Sequence, residues 1–175
     1  MQNTIEKFRI FPAQTADHIA TARTLLTAYV EWLNIDLSYQ SFQSELESLP
    51  GKYAAPHGEL LLAYSTDNTP LGCVSLRPLY NQSSESHNNA AGKSEYCEMK
   101  RLYVSPKARG MGLGKALIAA IVQRAKDLGY KEMRLDTLPL MQEAIQLYTR
   151  FGFVEIHPYY ETPLETLFLA LDLTR

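Results

Sequence analysis

The densest run of residues suited to chemistry is Arg109-Gly110-Met111-Gly112-Leu113-Gly114-Lys115. Three glycines at alternate positions let the backbone curl tightly and turn several N–H groups toward one point. Helical periodicity begins at once, with Leu113, Ala116, Leu117, Ala120, Ile121 and Leu128 on one face. The unpaired N–H groups and partial positive charge of a helix start therefore meet the same point. Arg109 and Lys115 add whole charges, and a pyrophosphate is the natural occupant. Two other phosphate loops do not fit. Arg109 stands where a Walker A loop needs glycine, and Ala116 where it needs Ser or Thr. A dinucleotide fingerprint, read from Gly112 and Gly114, needs a third glycine where Leu117 stands. The plain alternative is a glycine-rich turn that only starts a helix.

The elements that must position this loop can be read around it. Lys7 to Ala13 reads as a strand. From Asp17, a plausible helix cap, Ile19, Ala22, Leu25, Leu26, Tyr29, Val30 and Leu33 recur at helical spacing. A second helix is predicted from Ser38 to Leu49, ended by Pro50-Gly51. Glu59 to Ser65 and Leu71 to Tyr80 flank Thr66-Asp67-Asn68-Thr69-Pro70 as a hairpin. Residues 81–93 are small and polar, a composition that suits a mobile loop. Tyr96 to Val104 is the strand that feeds the glycine loop, stopping at Ser105-Pro106. After the helix from Gly112 to Leu128 come a strand, Lys131 to Thr137, and a helix with Pro139 in its first turn. That helix aligns Met141, Ala144, Ile145, Tyr148 and Phe151 and ends at Gly152. Two last strands, Phe153 to His157 and Thr166 to Leu173, enclose an aromatic turn at 158–163. The order β, α, α, β, β, β, α, β, α, β, β specifies an α/β chain with a mixed sheet and helices on both faces.

Bulk properties narrow the function. At 175 residues the chain has the size of a single domain, 1–175, burying roughly 70% of its unfolded surface. A net charge of −2 without a basic run argues against nucleic acid. No apolar stretch suits a signal peptide or a membrane span, so a cytoplasmic protein without membrane contact is expected. Cys73 and Cys97 lie in apolar strands and read as buried thiols. They and the scattered His18, His57, His87 and His157 show no metal-ligand spacing, so no metal is expected.

Arg109-x-x-Gly112-x-Gly114, preceded by Met99-Lys100-Arg101-Leu102-Tyr103-Val104-Ser105-Pro106, resembles the acetyl-CoA motif of the GNAT superfamily of N-acetyltransferases. Ala144-Ile145-Gln146-Leu147-Tyr148-x-x-Phe151-Gly152-Phe153 is similar to that family's later helix and strand. The two signatures cover about Cys97 to Glu155. Gly72-Cys73-Val74, Arg77-Pro78-Leu79 and Pro158-Tyr159-Tyr160 resemble a bacterial branch of unassigned acceptor.

The resemblance implies one domain with a mostly antiparallel sheet of about seven strands, bulged at the cofactor site. It implies an acetyl-CoA-dependent N-acetyltransferase in which a primary amine attacks the thioester directly, in a ternary complex. The backbone of Leu102, Tyr103 and Val104 would pair with the pantetheine arm, because a bulge opens strand pairing. The N–H groups from Arg109, Gly110, Met111 and Gly112 through Leu113, Gly114 and Lys115 would hold the pyrophosphate. Tyr148 matches a tyrosine that protonates the departing thiolate; on position alone it is equally a core residue. Asp136 and Glu98 match carboxylates that some members use as general base, and others use water alone. Met141 stands where the family often has an asparagine bonding the pantetheine, a bond that Gln142 or Thr137 would have to supply.

The acceptor pocket is expected between the two N-terminal helices, the bulged strand and the last hairpin. Trp32, Asp36, Tyr39, Tyr103, Tyr159, Tyr160 and Glu161 are its candidates, since carboxylates and aromatic rings suit a cationic amine. A small-molecule amine is favoured over a protein lysine or N-terminus. The rival class is a non-catalytic acyl-CoA-binding or sensing module. Monomer and homodimer stay open.

Overall fold

The computed structural model describes residues 7–80 and 94–175. The loop predicted at 81–93 lies outside the described residues. Seven strands and four α-helices follow one another in the predicted order. They are β1 (Phe8–Pro12), α1 (Ala16–Leu33), α2 (Phe42–Ser48), β2 (Glu59–Ser65), β3 (Pro70–Pro78) and β4 (Tyr96–Val104). Then come α3 (Leu113–Asp127), β5 (Glu132–Thr137), α4 (Gln142–Arg150), β6 (Val154–Glu155) and β7 (Leu167–Asp172). The strands form one sheet in the order β1-β2-β3-β4-β5-β7-β6. Every neighbouring pair is antiparallel except β4 and β5.

Strand alternation divides the core in two. On β2, Leu60 and Leu62 join the cluster formed with Ala22, Leu25 and Leu26 of α1 and Phe42 and Leu46 of α2. Leu61 and Ala63 join the opposite cluster, built on Leu113, Leu117, Ile118 and Ile121 of α3. The sheet thus has helices on both faces.

Three predicted details are corrected. The cap of α1 is Thr15, whose Oγ1 accepts from the His18 N–H at 3.2 Å. Asp17 instead lies in the first turn, where its charge suits the helix dipole. The helix predicted over 38–49 is split. Asp36 accepts from both the N–H and the hydroxyl of Ser38, opening a 3-10 turn at Ser38–Gln40. Ser41 is left-handed at φ 55° before α2 begins. Local Asp and Ser hydrogen bonds here outcompete helix propagation. Pro139 is not in a helical first turn either. Leu138 to Met141 form a turn, closed by Met141 N–H to Leu138 C=O at 2.9 Å, and α4 starts at Gln142.

The distortion that matters is in β4. Cys73 pairs with Tyr103 and Ser75 with Lys100, so Val74 faces both Arg101 and Leu102. This is a β-bulge, and Arg101 sits in it at φ 59°. A left-handed non-glycine residue costs about 1–3 kcal/mol unless its surroundings hold it. Here they do. The Arg101 guanidinium donates to both Glu45 oxygens, at 2.7 and 3.3 Å, and to Gln40 Oε1 at 2.9 Å. It lies over the Phe42 ring at 5.0 Å, and Tyr53 holds Glu45 from behind at 2.6 Å. So α2 and the 3-10 turn lock the bulge.

On the β3 side, Gly72 lets the bulged strand approach. A Cβ there would stand 2.4 Å from the Tyr103 carbonyl oxygen. Gly72→Ala is therefore expected to lower stability by about 1–3 kcal/mol, read as the shift in a urea-denaturation midpoint. An unshifted midpoint would mean that β3 moves aside at no cost.

Candidate functional site

Past the bulge the sheet opens. Parallel pairing of β4 with β5 is confined to Tyr96, Cys97 and Glu98 opposite Glu132, Met133 and Arg134. Both strands run on, β4 to Val104 and β5 to Thr137, without facing each other. A groove of about 580 Å³ lies at this opening. Its walls are Leu102, Tyr103 and Val104 of β4, the glycine loop, Leu140 to Ala144, and Leu147.

The loop is shaped for the role its spacing suggests. Gly110 and Gly112 have φ of 76° and 81°, and a Cβ on either would meet nothing within 4 Å. Both therefore present bare backbone to open space. Gly112 is also the N-cap of α3 and supplies no side-chain cap, so the first-turn N–H groups are left for a ligand. Arg109, Gly110, Gly112, Leu113, Gly114 and Lys115 all line the groove. Met111 does not; it packs partly buried against the α3 side of the core.

A second, smaller cavity of about 80 Å³ adjoins the first, sharing Leu102, Met141 and Ala144. Tyr148, Asp136 and Thr137 line it, with Tyr29, Leu33, Leu37, Gln40, Lys100 and Arg101. Tyr148 is 6% exposed and packs edge-on against Phe153, ring centres 5.7 Å apart. No described protein group hydrogen-bonds its hydroxyl. Burial pushes that phenol well above its usual range, and Tyr29 and Asp136 add to the effect.

The two carboxylates expected as bases are engaged in ion pairs. Burial, the largest single effect, raises the Asp136 carboxyl, and Lys100 lowers it from 2.8 Å. With the nearby Tyr160 hydroxyl and Arg101 acting in the same direction as Lys100, Asp136 ends below the ordinary carboxylate range. Glu98 is fully buried. Arg77 contacts its Oε2 through Nε at 2.7 Å and Nη2 at 2.6 Å, and Tyr159 donates to its Oε1 at 2.8 Å.

The expected acceptor residues do not converge. Trp32 lines the large groove, where Arg109 lies over its ring at 4.7 Å. Asp36 is exposed and holds the Ser38 turn. Tyr39 is in that turn, its side chain outside the described ones. Tyr159 and Tyr160 pack edge-on against Phe168, Tyr159 donates to Glu98, and neither lines a described cavity. Glu161 is exposed and lines neither. Sequence reasoning missed Lys100, Arg101 and Gln40. The available signal was two adjacent cations on a strand expected to be buried, which only built-in partners or a ligand make tolerable.

Met141 lines both cavities and makes no side-chain cap on α4. Gln142 Nε2 is used on the Pro139 carbonyl at 2.5 Å. Among the described residues no group of three or more His, Cys, Asp or Glu is arranged to hold a metal, and no helix is long and apolar enough to cross a membrane.

The model of the acetyltransferase (GNAT) family matches residues 25–153, which take in the bulge, the glycine loop and α4. The chain belongs to this family. An uncharacterised N-acetyltransferase of Schizosaccharomyces pombe is 36% identical over 154 residues, covering 87% of each chain. A GNAT acetyltransferase structure from Staphylococcus aureus superposes with a TM-score of 0.74 at 19% identity, over 95% of this chain and 99% of that one. One from Elizabethkingia anophelis, with acetyl-CoA bound, gives 0.63 at 22% identity, over 95% and 99%. The protein is an acetyl-CoA-dependent acetyltransferase, and the family's cosubstrate fits the larger groove described. The bare-backbone loop suits a pyrophosphate, and the unpaired stretch of β4 suits an amide-bearing arm.

Proposed function

We propose that this acetyltransferase moves the acetyl group of acetyl-CoA onto the primary amine of a small molecule, by direct attack in a ternary complex. What carries the reading is the junction at Leu102, Met141 and Ala144, where the cofactor groove meets the small cavity that Tyr148 lines. Acetyl-CoA supplies an activated thioester. Backbone groups from Arg109 to Lys115 hold its pyrophosphate, and those of Leu102 to Val104 hold the arm. The amine enters from the small cavity, and the two reactants meet with no covalent enzyme intermediate. The cysteines support this: Cys73 and Cys97 are buried, and burial pushes the Cys73 thiol up to about 12.

In this reading Tyr148 donates a proton to the departing thiolate. Asp136 and Glu98 hold Lys100 and Arg77 in place. The amine is then deprotonated by water, because a carboxylate already satisfied by a cation is a weak base.

The chain's single tryptophan makes the first test direct. Trp32 stands on the groove against Arg109, so coenzyme A should change its fluorescence with a saturable titration. Gly112→Val is expected to weaken that binding tenfold or more, since the new side chain enters the open space before α3, and the melting temperature should also fall, because a β-branched residue is strained at φ 81°. Unchanged affinity in the folded variant would reduce the loop to a turn. Thiol release from acetyl-CoA with a panel of amines then separates an enzyme from a sensor.

A further inference from the structure

The charges around the small cavity specify more about the acceptor than that it is an amine. Three ionised side chains line it, Lys100, Arg101 and Asp136, two cations against one carboxylate. Lys100 and Arg101 are 8% and 7% exposed. Glu45 neutralises Arg101 from the α2 side and lies outside the lining. These cations also have donors to spare. Of the five guanidinium N–H groups of Arg101, the structure uses three, on Glu45 and Gln40. Lys100 has three N–H groups and gives one to Asp136 at 2.8 Å; Glu98 Oε1, at 3.9 Å, is too far for a second.

We propose that the small cavity recognises a carboxylate on the acceptor, so that the substrate is a small amino acid-type molecule carrying both an amine and an acid. This rests on the acetyltransferase reading above and deepens it. A planar guanidinium and an ammonium with unused N–H groups, both withdrawn from water, are what an anionic oxygen pair needs. A second ammonium, as in a polyamine, would instead meet two like charges. The acidic residues expected to receive it, Asp36 and Glu161, line neither cavity.

The volume agrees. At about 80 Å³ the space is roughly half that of an engineered cavity that holds benzene. It admits a head group of a few heavy atoms and excludes a folded polypeptide. The amine of such a molecule would extend toward Leu102 and Ala144, where the cofactor groove begins. The transfer is balanced: the amine nitrogen bonds to the acetyl carbon, the carbon–sulfur bond breaks, and the thiol leaves with one proton as the amide forms. The carboxylate takes no part in that exchange. It only orients.

The test uses the intact chain, acetyl-CoA and three matched series: the standard L-amino acids, their carboxamides, and the amines left by decarboxylation, with putrescine and spermidine alongside. Thiol release is measured, with mass spectrometry of the products. Calorimetric titration of the same compounds into the protein saturated with coenzyme A reports binding without turnover. At least one free acid is expected to exceed its own carboxamide and amine by tenfold or more in kcat/KM. Lys100→Gln keeps a donor toward Asp136 but loses the charge, and should shrink that acid-to-carboxamide ratio tenfold. A merely structural lysine would lower both substrates together and leave the ratio intact. If Lys100→Gln does not fold, the wild-type series still decides. Equal use of carboxamides, preference for polyamines or for peptide amines, or no binding of any free acid while coenzyme A still quenches Trp32 would each overturn the carboxylate and leave the acetyltransferase reading standing. Absence of coenzyme A binding would instead strike the reading beneath it.

Discussion

Tyr148→Phe should reduce kcat by roughly 10²–10⁴-fold, the usual range for a lost general acid, with little change in coenzyme A affinity. The substitution removes one hydroxyl and keeps the ring, so the edge-on contact with Phe153 survives. No described protein group hydrogen-bonds that hydroxyl, so its loss breaks nothing inside the fold. Burial holds the phenol protonated throughout the neutral range, and Tyr148 therefore enters the reaction as a donor. The same enclosure acts on the leaving group. A thiolate expelled into a desolvated junction is more basic than one in water, which offsets part of the rise that the same burial imposes on the phenol. Steady-state kinetics beside a melting curve decide the matter. A well-folded Phe variant with wild-type kcat would remove Tyr148 from the mechanism and leave water as the proton source.

How much of this could be read from the chain depends on what kind of physics each feature uses. Local features were legible. Alternation and helical period gave seven strands and four helices in the right order, because each pattern is written in neighbouring residues. The glycine loop was legible for the same reason: Gly110 and Gly112 need positive φ, and the helix start follows at once. Features set by long-range pairing were not. The bulge was expected only through a family resemblance, at Leu102 to Val104. Its left-handed residue is Arg101, held by Glu45 from 56 positions away in the chain. The acceptor side was harder to read for a related reason. Aromatic and acidic residues near the right elements looked like candidates, yet Asp36 serves a local turn and Tyr159 serves Glu98. No periodicity reveals which of two polar jobs a side chain has taken.

The bulge joins the two halves of the site into one device. By placing Arg101 in the left-handed region it turns β4 away from β5, and by its guanidinium it ties that turn to α2 and the 3-10 turn. Leu102, Tyr103 and Val104 past the bulge line the larger groove, while Leu102 and Arg101 line the small cavity. One strained residue, stabilised by one ion pair, thus shapes both the groove and the small cavity. Mutations of Glu45, which lines neither cavity, would act on the site only through Arg101, whereas Gln40 also lines the small cavity itself.

The second large effect expected is in stability, and it separates a structural carboxylate from a catalytic one. Glu98 is fully buried, with Arg77 at 2.6 Å and the Tyr159 hydroxyl at 2.8 Å. Replacing it by glutamine preserves shape but leaves Arg77 and Lys100 short of one counter-charge in a water-poor setting. Breaking one side of a buried pair typically costs about 3 kcal/mol or more, roughly a hundredfold in the folding equilibrium. Glu98→Gln should therefore lower the denaturation midpoint sharply. Its kcat/KM per folded molecule should fall less than about tenfold, because the carboxylate lines neither cavity. A general base would show the same loss of stability but with kcat per folded molecule down by roughly 10²–10⁴-fold. The measurements are a urea titration and a rate assay on the same preparation, at a temperature where both proteins are folded. Asp136→Asn supplies the internal comparison, since Asp136 does line the small cavity and holds Lys100 there. If kcat per folded Glu98→Gln molecule fell by that larger factor, the base would have to be placed at Glu98, with Arg77 and Tyr159 poising it and not merely neutralising it.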